Sequence, residues 1–216
     1  MPFNTVAKNE MLDALDESNT KITHVAVWTL TDPGTGTNAT GTEATGGSPA
    51  YARQAVVWGA AAAEVKQNTG ALTFDLPAGT YGFLCFFNAS TGNTNNFRGY
   101  APINGTVRGF ATVDTTLTND QFLSPGHGLA NTDRVMLYNV LGTTLATGVS
   151  EGTVYFVVNV ATDTFKVSLT SGGAAVDVTA LAGGECYFEK VIPETFASQG
   201  QLTVAISALT LDLTGI

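Results

Sequence analysis

Leu72-Thr73-Phe74-Asp75-Leu76-Pro77-Ala78-Gly79-Thr80-Tyr81-Gly82-Phe83-Leu84-Cys85-Phe86-Phe87-Asn88-Ala89-Ser90 is the stretch whose reading decides the fold. Leu72, Phe74 and Leu76 alternate with Thr73 and Asp75, the period of a strand with one apolar and one polar face. Pro77-Ala78-Gly79 supplies a turn, with one residue of fixed φ and one that tolerates φ > 0. Tyr81 to Phe87 is then apolar on both parities, as in a strand covered on both sides. The spacing predicts two strands folded back on each other at the centre of a β-sandwich. No reactive group lies in the stretch.

Upstream, Asn4 and Thr5 are acceptable N-caps, and Val6 to Leu15 carries Ala7, Met11, Leu12 and Leu15 on roughly one side. A short amphipathic helix is expected there. Asp13, Asp16 and Glu17 sit late in it, against the helix dipole. Ile22 to Leu30 reads as an interior strand, apolar on both parities. Thr31 to Pro49 has no periodicity and reads as a long surface loop. Ala50 to Gly59 reads as a strand, and Ala60 to Ala63 as an irregular connector. Downstream, Asn88 to Asn93 is a turn cluster, and Phe97 to Ile103 a short strand ending near Pro102.

From Gly109 to Phe188 the texture changes. Short strand-like pieces recur: Phe110–Val113, Arg134–Tyr138, Val154–Val158, Thr164–Leu169, Val176–Val178 and Cys186–Val191. Turn signals such as Ser124-Pro125-Gly126, Leu141-Gly142, Glu151-Gly152 and Ser171-Gly172-Gly173 separate them. Such spacing predicts a small β-barrel or sandwich, inserted at residues 109–188 into a host domain formed by 1–108 and 189–216. At the C-terminal end, Leu202, Val204 and Ile206 share one parity and Leu209, Leu211 and Leu213 the other. Either a bulge or a junction of two strands is needed at Ser207-Ala208; the lack of a turn residue favours the bulge. The expected class is therefore all-β: a sandwich with a short N-terminal helix and an inserted small barrel or sandwich.

Composition agrees. Charged residues make up only 12% of 216 residues while glycine numbers 24, which favours short strands and tight turns. A net charge of −9 repels phosphate backbones, and no basic patch with interleaved aromatics is present, so nucleic acid is not an expected partner. No apolar run approaches the roughly 20 residues that cross a bilayer, and the N-terminus lacks a basic segment followed by an apolar one. A soluble protein without a secretory signal is expected.

Few residues invite chemistry. Cys85 and Cys186 lack metal-type spacing; Cys85 reads as a small buried hydrophobe, and a disulfide with Cys186 is the alternative. His24, in an apolar strand, reads as structural. His127, in Pro125-Gly126-His127-Gly128-Leu129, reads as a turn stabiliser or a surface contact. Asp75, Asp114, Asp133 and Asp177 are the carboxylates a glycoside hydrolase would need, but each sits beside Thr or at a strand end, as solvated residues do. Three Asn-x-Ser/Thr triplets, at Asn38, Asn88 and Asn104, read as products of a Thr-rich composition. No nucleophile elbow and no phosphate-cradling loop occurs. No catalytic residue, metal or cofactor is expected. Tyr138, Tyr155 and Tyr187, with His127, are the candidate surface-contact residues, the tyrosines as platforms for sugars.

Several runs together resemble a family of small phage virion proteins of the tail-fibre or minor-tail type. They are Trp28-Thr29-Leu30-Thr31-Asp32-Pro33-Gly34, Gly46 to Ala55 (Gly-Gly-Ser-Pro-Ala-Tyr-Ala-Arg-Gln-Ala), Leu76-Pro77-Ala78-Gly79-Thr80, and Ile192 to Phe196 through Leu209-Thr210-Leu211. The inserted part is similar to a module of phage virion proteins through Ser124 to Leu129, Asp133-Arg134-Val135, Thr153 to Val158 and Thr162 to Phe165. It departs from that module at Asn131-Thr132, where Asn-Gly is usual. The resemblance implies a non-enzymatic structural protein of the virion, assembled in the host cytoplasm as a homo-oligomer with other virion proteins as partners. Attachment to tail or head, and a glycan on the host surface, are the alternatives within it.

Overall fold

The computed structural model describes residues 4–15, 21–104, 107–113, 120–140, 144–178 and 185–213. Asp16, Glu17, Gly105, Thr106, Asp114 and Leu141-Gly142 of the reading above lie outside them. Among the described residues one helix, α1 (Thr5–Ala14), precedes fifteen strands. In chain order these are β1 (His24–Thr29), β2 (Gln54–Ala55), β3 (Val65–Gln67), β4 (Leu72–Leu76), β5 (Gly79–Phe87), β6 (Phe97–Pro102), β7 (Arg108–Val113) and β8 (Phe122–Leu123). There follow β9 (Arg134–Asn139), β10 (Tyr155–Val158), β11 (Thr164–Ser168), β12 (Glu185–Val191), β13 (Glu194–Phe196), β14 (Gly200–Val204) and β15 (Thr210–Asp212). The described residues are thus all-β apart from α1. It forms two compact units: one of Met1–Thr29, Pro33–Ala101 and Thr195–Ile216, the other of Leu30–Asp32 and Pro102–Glu194.

The first unit is layered. A five-stranded sheet runs β13-β5-β1-β2, with β6 also paired to β5. β14 pairs with β4 and β15 with β3 in two further sheets. The expected hairpin of β4 and β5 is therefore corrected. The two strands join different sheets, and Pro77-Ala78 is a crossing between layers. The faces are as their periodicity requires: Leu72, Phe74 and Leu76 are buried on β4, and Tyr81 to Phe87 without exception on β5. Phe87 stacks on Trp28 at 5.6 Å and leans on Phe97 at 5.5 Å. Each such buried aromatic contributes about 2–3 kcal/mol relative to exposure.

Four further expectations are revised. The helix does form behind an Asn4 cap, whose side chain accepts the Ala7 N–H at 2.9 Å. Yet its inward residues are Leu12 and Lys8, while Met11 is exposed. Lys8 reaches Glu64 at 3.0 Å and Lys66 reaches Asp13 at 2.6 Å, so ion pairs dock a helix too short to bury a full apolar stripe. The strand expected over 50–59 shrinks to Gln54–Ala55 plus a single bridge at Trp58. Val176–Val178 is irregular rather than a strand, although the Val176 N–H bonds the Val167 carbonyl at 2.8 Å.

The C-terminal segment is two strands, not one bulged strand. Asn68, buried, accepts the Leu209 N–H on Oδ1 at 2.9 Å and donates from Nδ2 to Ala205 O and Gly70 O at 2.9 and 2.7 Å. Its carbonyl accepts the Ser207 N–H at 3.0 Å, and Ser207 takes φ +61°. A side chain about 140 positions away makes this turn, in place of a local turn residue.

The second unit is a closed six-stranded barrel in the order β10-β11-β8-β7-β12-β9. Phe122, Phe165 and Phe188 fill it beside Val135, Leu137, Val157 and Val167. Phe122 stacks on Phe165 at 5.4 Å and Phe188 meets Phe165 edge-on at 5.5 Å. Among the described residues, no helix is long and apolar enough to cross a membrane.

Candidate functional site

The outer wall of the barrel carries the aromatic side chains best placed to meet a partner. On β7 and β12, successive outward rungs pair Arg108 with Glu189, Phe110 with Tyr187, and Thr112 with Glu185. On the other side of β12, Tyr187 faces Tyr138 of β9 and Glu189 faces Met136. Because residues opposite each other in a ladder point to the same face, Phe110, Tyr187 and Tyr138 form one row across three strands. Tyr187 is 49% exposed and Phe110 43%. Their rings meet edge to face, centroids 5.6 Å apart and planes at 71°. Leu123, opposite Thr112 on β8, adds a further exposed apolar side chain.

Polar groups fix the row from one end. Arg108 Nε donates to Glu189 Oε1 at 2.5 Å, and the Tyr138 hydroxyl donates to Glu189 Oε2 at 3.4 Å. The Glu189 carboxylate is buried while the Arg108 side chain is largely exposed. The strands beneath are part of a closed ladder, so the row sits on a rigid base.

Of the expected contact residues, Tyr187 is exposed and Tyr138 is half-buried beside it. Tyr155 departs from expectation: it is 3% exposed in the barrel core, its oxygen accepting the Ser150 N–H at 2.9 Å. His127 is 6% exposed and stabilises its turn, Nδ1 accepting the Leu129 N–H at 3.0 Å. That leaves the proton on Nε2, which donates to the Ala161 carbonyl at 3.1 Å. Phe110 was not among the expected residues. Its parity with Arg108 and Thr112 was the available signal that it faces outward.

Two of the expected carboxylates are bonded within the fold. Asp75 accepts from Gln201 at 2.9 Å. Asp133 accepts the Ala130 N–H and pairs with Lys190 at 2.7 Å. Asp177 lies exposed in an irregular segment. Asp75 belongs to the first unit, and Asp133 and Asp177 to the second. Both cysteines are buried thiols outside any disulfide, and burial pushes the Cys186 thiol up to about 12. Among the described residues no group of three or more His, Cys, Asp or Glu converges as metal ligands would.

The long loop in the first unit is pinned by a buried network. Arg53 Nε and Nη2 donate to Glu43 Oε1 and Oε2, both at 2.8 Å, and Arg53 Nη1 donates to Ala89 O at 3.3 Å. The Tyr51 hydroxyl donates to Glu43 at 3.1 Å and accepts the Val27 N–H at 2.9 Å. Burial first, and then the Glu43 charge, raise the Tyr51 pKa, so the hydroxyl keeps its proton. Trp28 Nε1 donates to Thr40 O at 2.7 Å, and the Ala44 N–H bonds Val27 O at 2.9 Å, laying 40–44 along β1. These groups are structural.

No protein-family model matches the chain. Neither a curated protein nor a solved structure matches it.

Proposed function

We propose that the chain is a non-enzymatic structural protein of a bacteriophage virion, attached to the tail or forming part of a fibre, with the barrel as its contact module. The observation that carries the reading is the Phe110–Tyr187–Tyr138 row, aromatic side chains presented on a filled, closed barrel. A wall of this kind suits contact rather than turnover, and repeated copies on one particle would multiply a modest contact into avidity. The resembling runs support the same reading through their positions. Tyr51 and Arg53 of the Gly46–Ala55 run pin the long loop, and Leu76 to Thr80 spans the crossing between sheets. The partners in this reading are other virion proteins and further copies of the chain.

Particles separated into heads and tails, followed by mass spectrometry, test it. Recovery with tails is expected. Recovery with heads replaces the tail assignment by decoration of the capsid, and absence from both removes the virion reading. A sugar-binding module is the second reading, favoured by the exposure of Tyr187. Glycan-array binding lost on Tyr187→Ala would establish it.

A further inference from the structure

We infer that the barrel wall around Phe110 and Tyr187 is a self-complementary docking surface for a second copy of this chain, with Arg108 of each copy meeting Glu185 of the other. The outward rungs of β7 and β12 run Arg108/Glu189, Phe110/Tyr187, Thr112/Glu185. The aromatic rung is central, and a cation and a carboxylate stand at diagonally opposite corners. Both corner residues are exposed.

A two-fold axis lying in the contact plane, nearly across the strands, turns one wall onto another while keeping the aromatic rung in the middle. The same rotation carries Arg108 onto Glu185 and Glu185 onto Arg108. Four residues of rise against one strand separation set the strands of the two walls about 40° apart, near the roughly 30° at which aligned sheets pack. Isologous contacts of this kind are the commonest in homo-oligomers. Exposed aromatics ringed by charge are also what interface centres are made of.

The ring geometry favours a protein partner over a sugar. With planes at 71°, the edge of one ring covers part of the other's face, so the pair makes a ridge instead of the flat platform a sugar stacks on. The patch is also small. Phe110, Tyr187 and Leu123 are its exposed apolar side chains, well short of the roughly 800 Å² per partner of a tight interface. A contact of this size belongs with the weak, transient interfaces. It becomes effective where copies are already crowded. The inference rests on the virion reading only for where the contact is used; the contact itself is a property of the purified chain.

Sedimentation of the full chain over a concentration series tests it. The wild type is expected to dimerise, and Arg108→Glu or Glu185→Arg to weaken association at least about tenfold. An equimolar mixture of the two variants should recover wild-type association, because each like-charge pair becomes an opposite one in the mixed dimer. Arg108 also holds Glu189 within its own chain, so Glu185→Arg and Tyr187→Ser provide disruptions that leave that pair intact. A wild type that stays monomeric, variants that dimerise undiminished, or a mixture that fails to associate each overturn the inference. So does glycan binding by a chain that remains monomeric, which leaves the sugar reading. Dimerisation by a chain absent from particles would sink the virion role and leave this surface standing.

Discussion

The Arg53 guanidinium lies 3.6 Å from the centre of the Phe87 ring while its fork holds both oxygens of Glu43. The stacking and the fork need a planar, delocalised cation, which lysine does not provide. Arg53→Lys is expected to lower stability by about 1–2 kcal/mol in urea unfolding. Arg53→Met, which leaves the carboxylate unpaired, should cost about 3 kcal/mol. Equal losses for the two variants would mean that the geometry of the fork contributes nothing.

Asn68 offers a second test, because one side chain makes the turn between β14 and β15. Asn68→Asp keeps the acceptor for Leu209 but removes the donors to Ala205 and Gly70 and places a charge where almost no solvent reaches. The expected loss is about 2–4 kcal/mol. Amide exchange should rise first in 205–213, the segment this side chain secures.

Two turn positions in the barrel should respond in opposite directions. Thr132, where the resembling module has glycine, adopts φ +75°, a costly conformation for a β-branched residue. Thr132→Gly is expected to raise stability by about 1 kcal/mol. Gly148, at φ +102°, has no room: a Cβ there would meet the Asp177 carbonyl oxygen at 2.0 Å. Gly148→Ala should cost at least about 2 kcal/mol, read as a lower melting temperature.

The His24 imidazole is held below its ordinary range, chiefly by burial and secondly by the Arg53 charge. The unfolded chain therefore takes up a proton at a higher pH than the folded one. Stability should fall as pH drops through about 6.5 toward the folded-state value, where the decline levels off. Asp13 and Glu64 shift the same way, Asp13 mainly through Lys66 and Glu64 through Thr5 and then Lys8, but their losses begin only below about 4.5. His24→Gln should flatten the upper part of the profile alone. An unchanged slope between pH 7 and 5 would assign it to other groups.

Strand existence was legible wherever a period of two was present, as on β4, or both parities were apolar, as on β1 and β5. Asn4 announced the start of α1. Pairing was not legible: β4 finds β14, with Gln201 bonding Asp75 across 126 positions, and no local signal encodes a partner so distant. β3 hides behind four residues of Ala-rich connector because Leu211 and its neighbours supply the other half of its ladder. In the candidate site, Tyr187 was recognisable as an exposed aromatic, but Tyr155 shares its parity with Val157 and so turns inward. Parity, applied strand by strand, separates the two tyrosines and recovers Phe110; residue type alone does not.

Closure of the barrel has a consequence for crowding. Each of its six strands is bonded on both flanks over at least part of its length, so the ring offers little continuous edge along which a neighbouring chain could zip by main-chain hydrogen bonds. Runaway strand addition through this body is thereby disfavoured among copies packed at high density, and contact between two barrels falls mainly to side chains, where single substitutions can edit it.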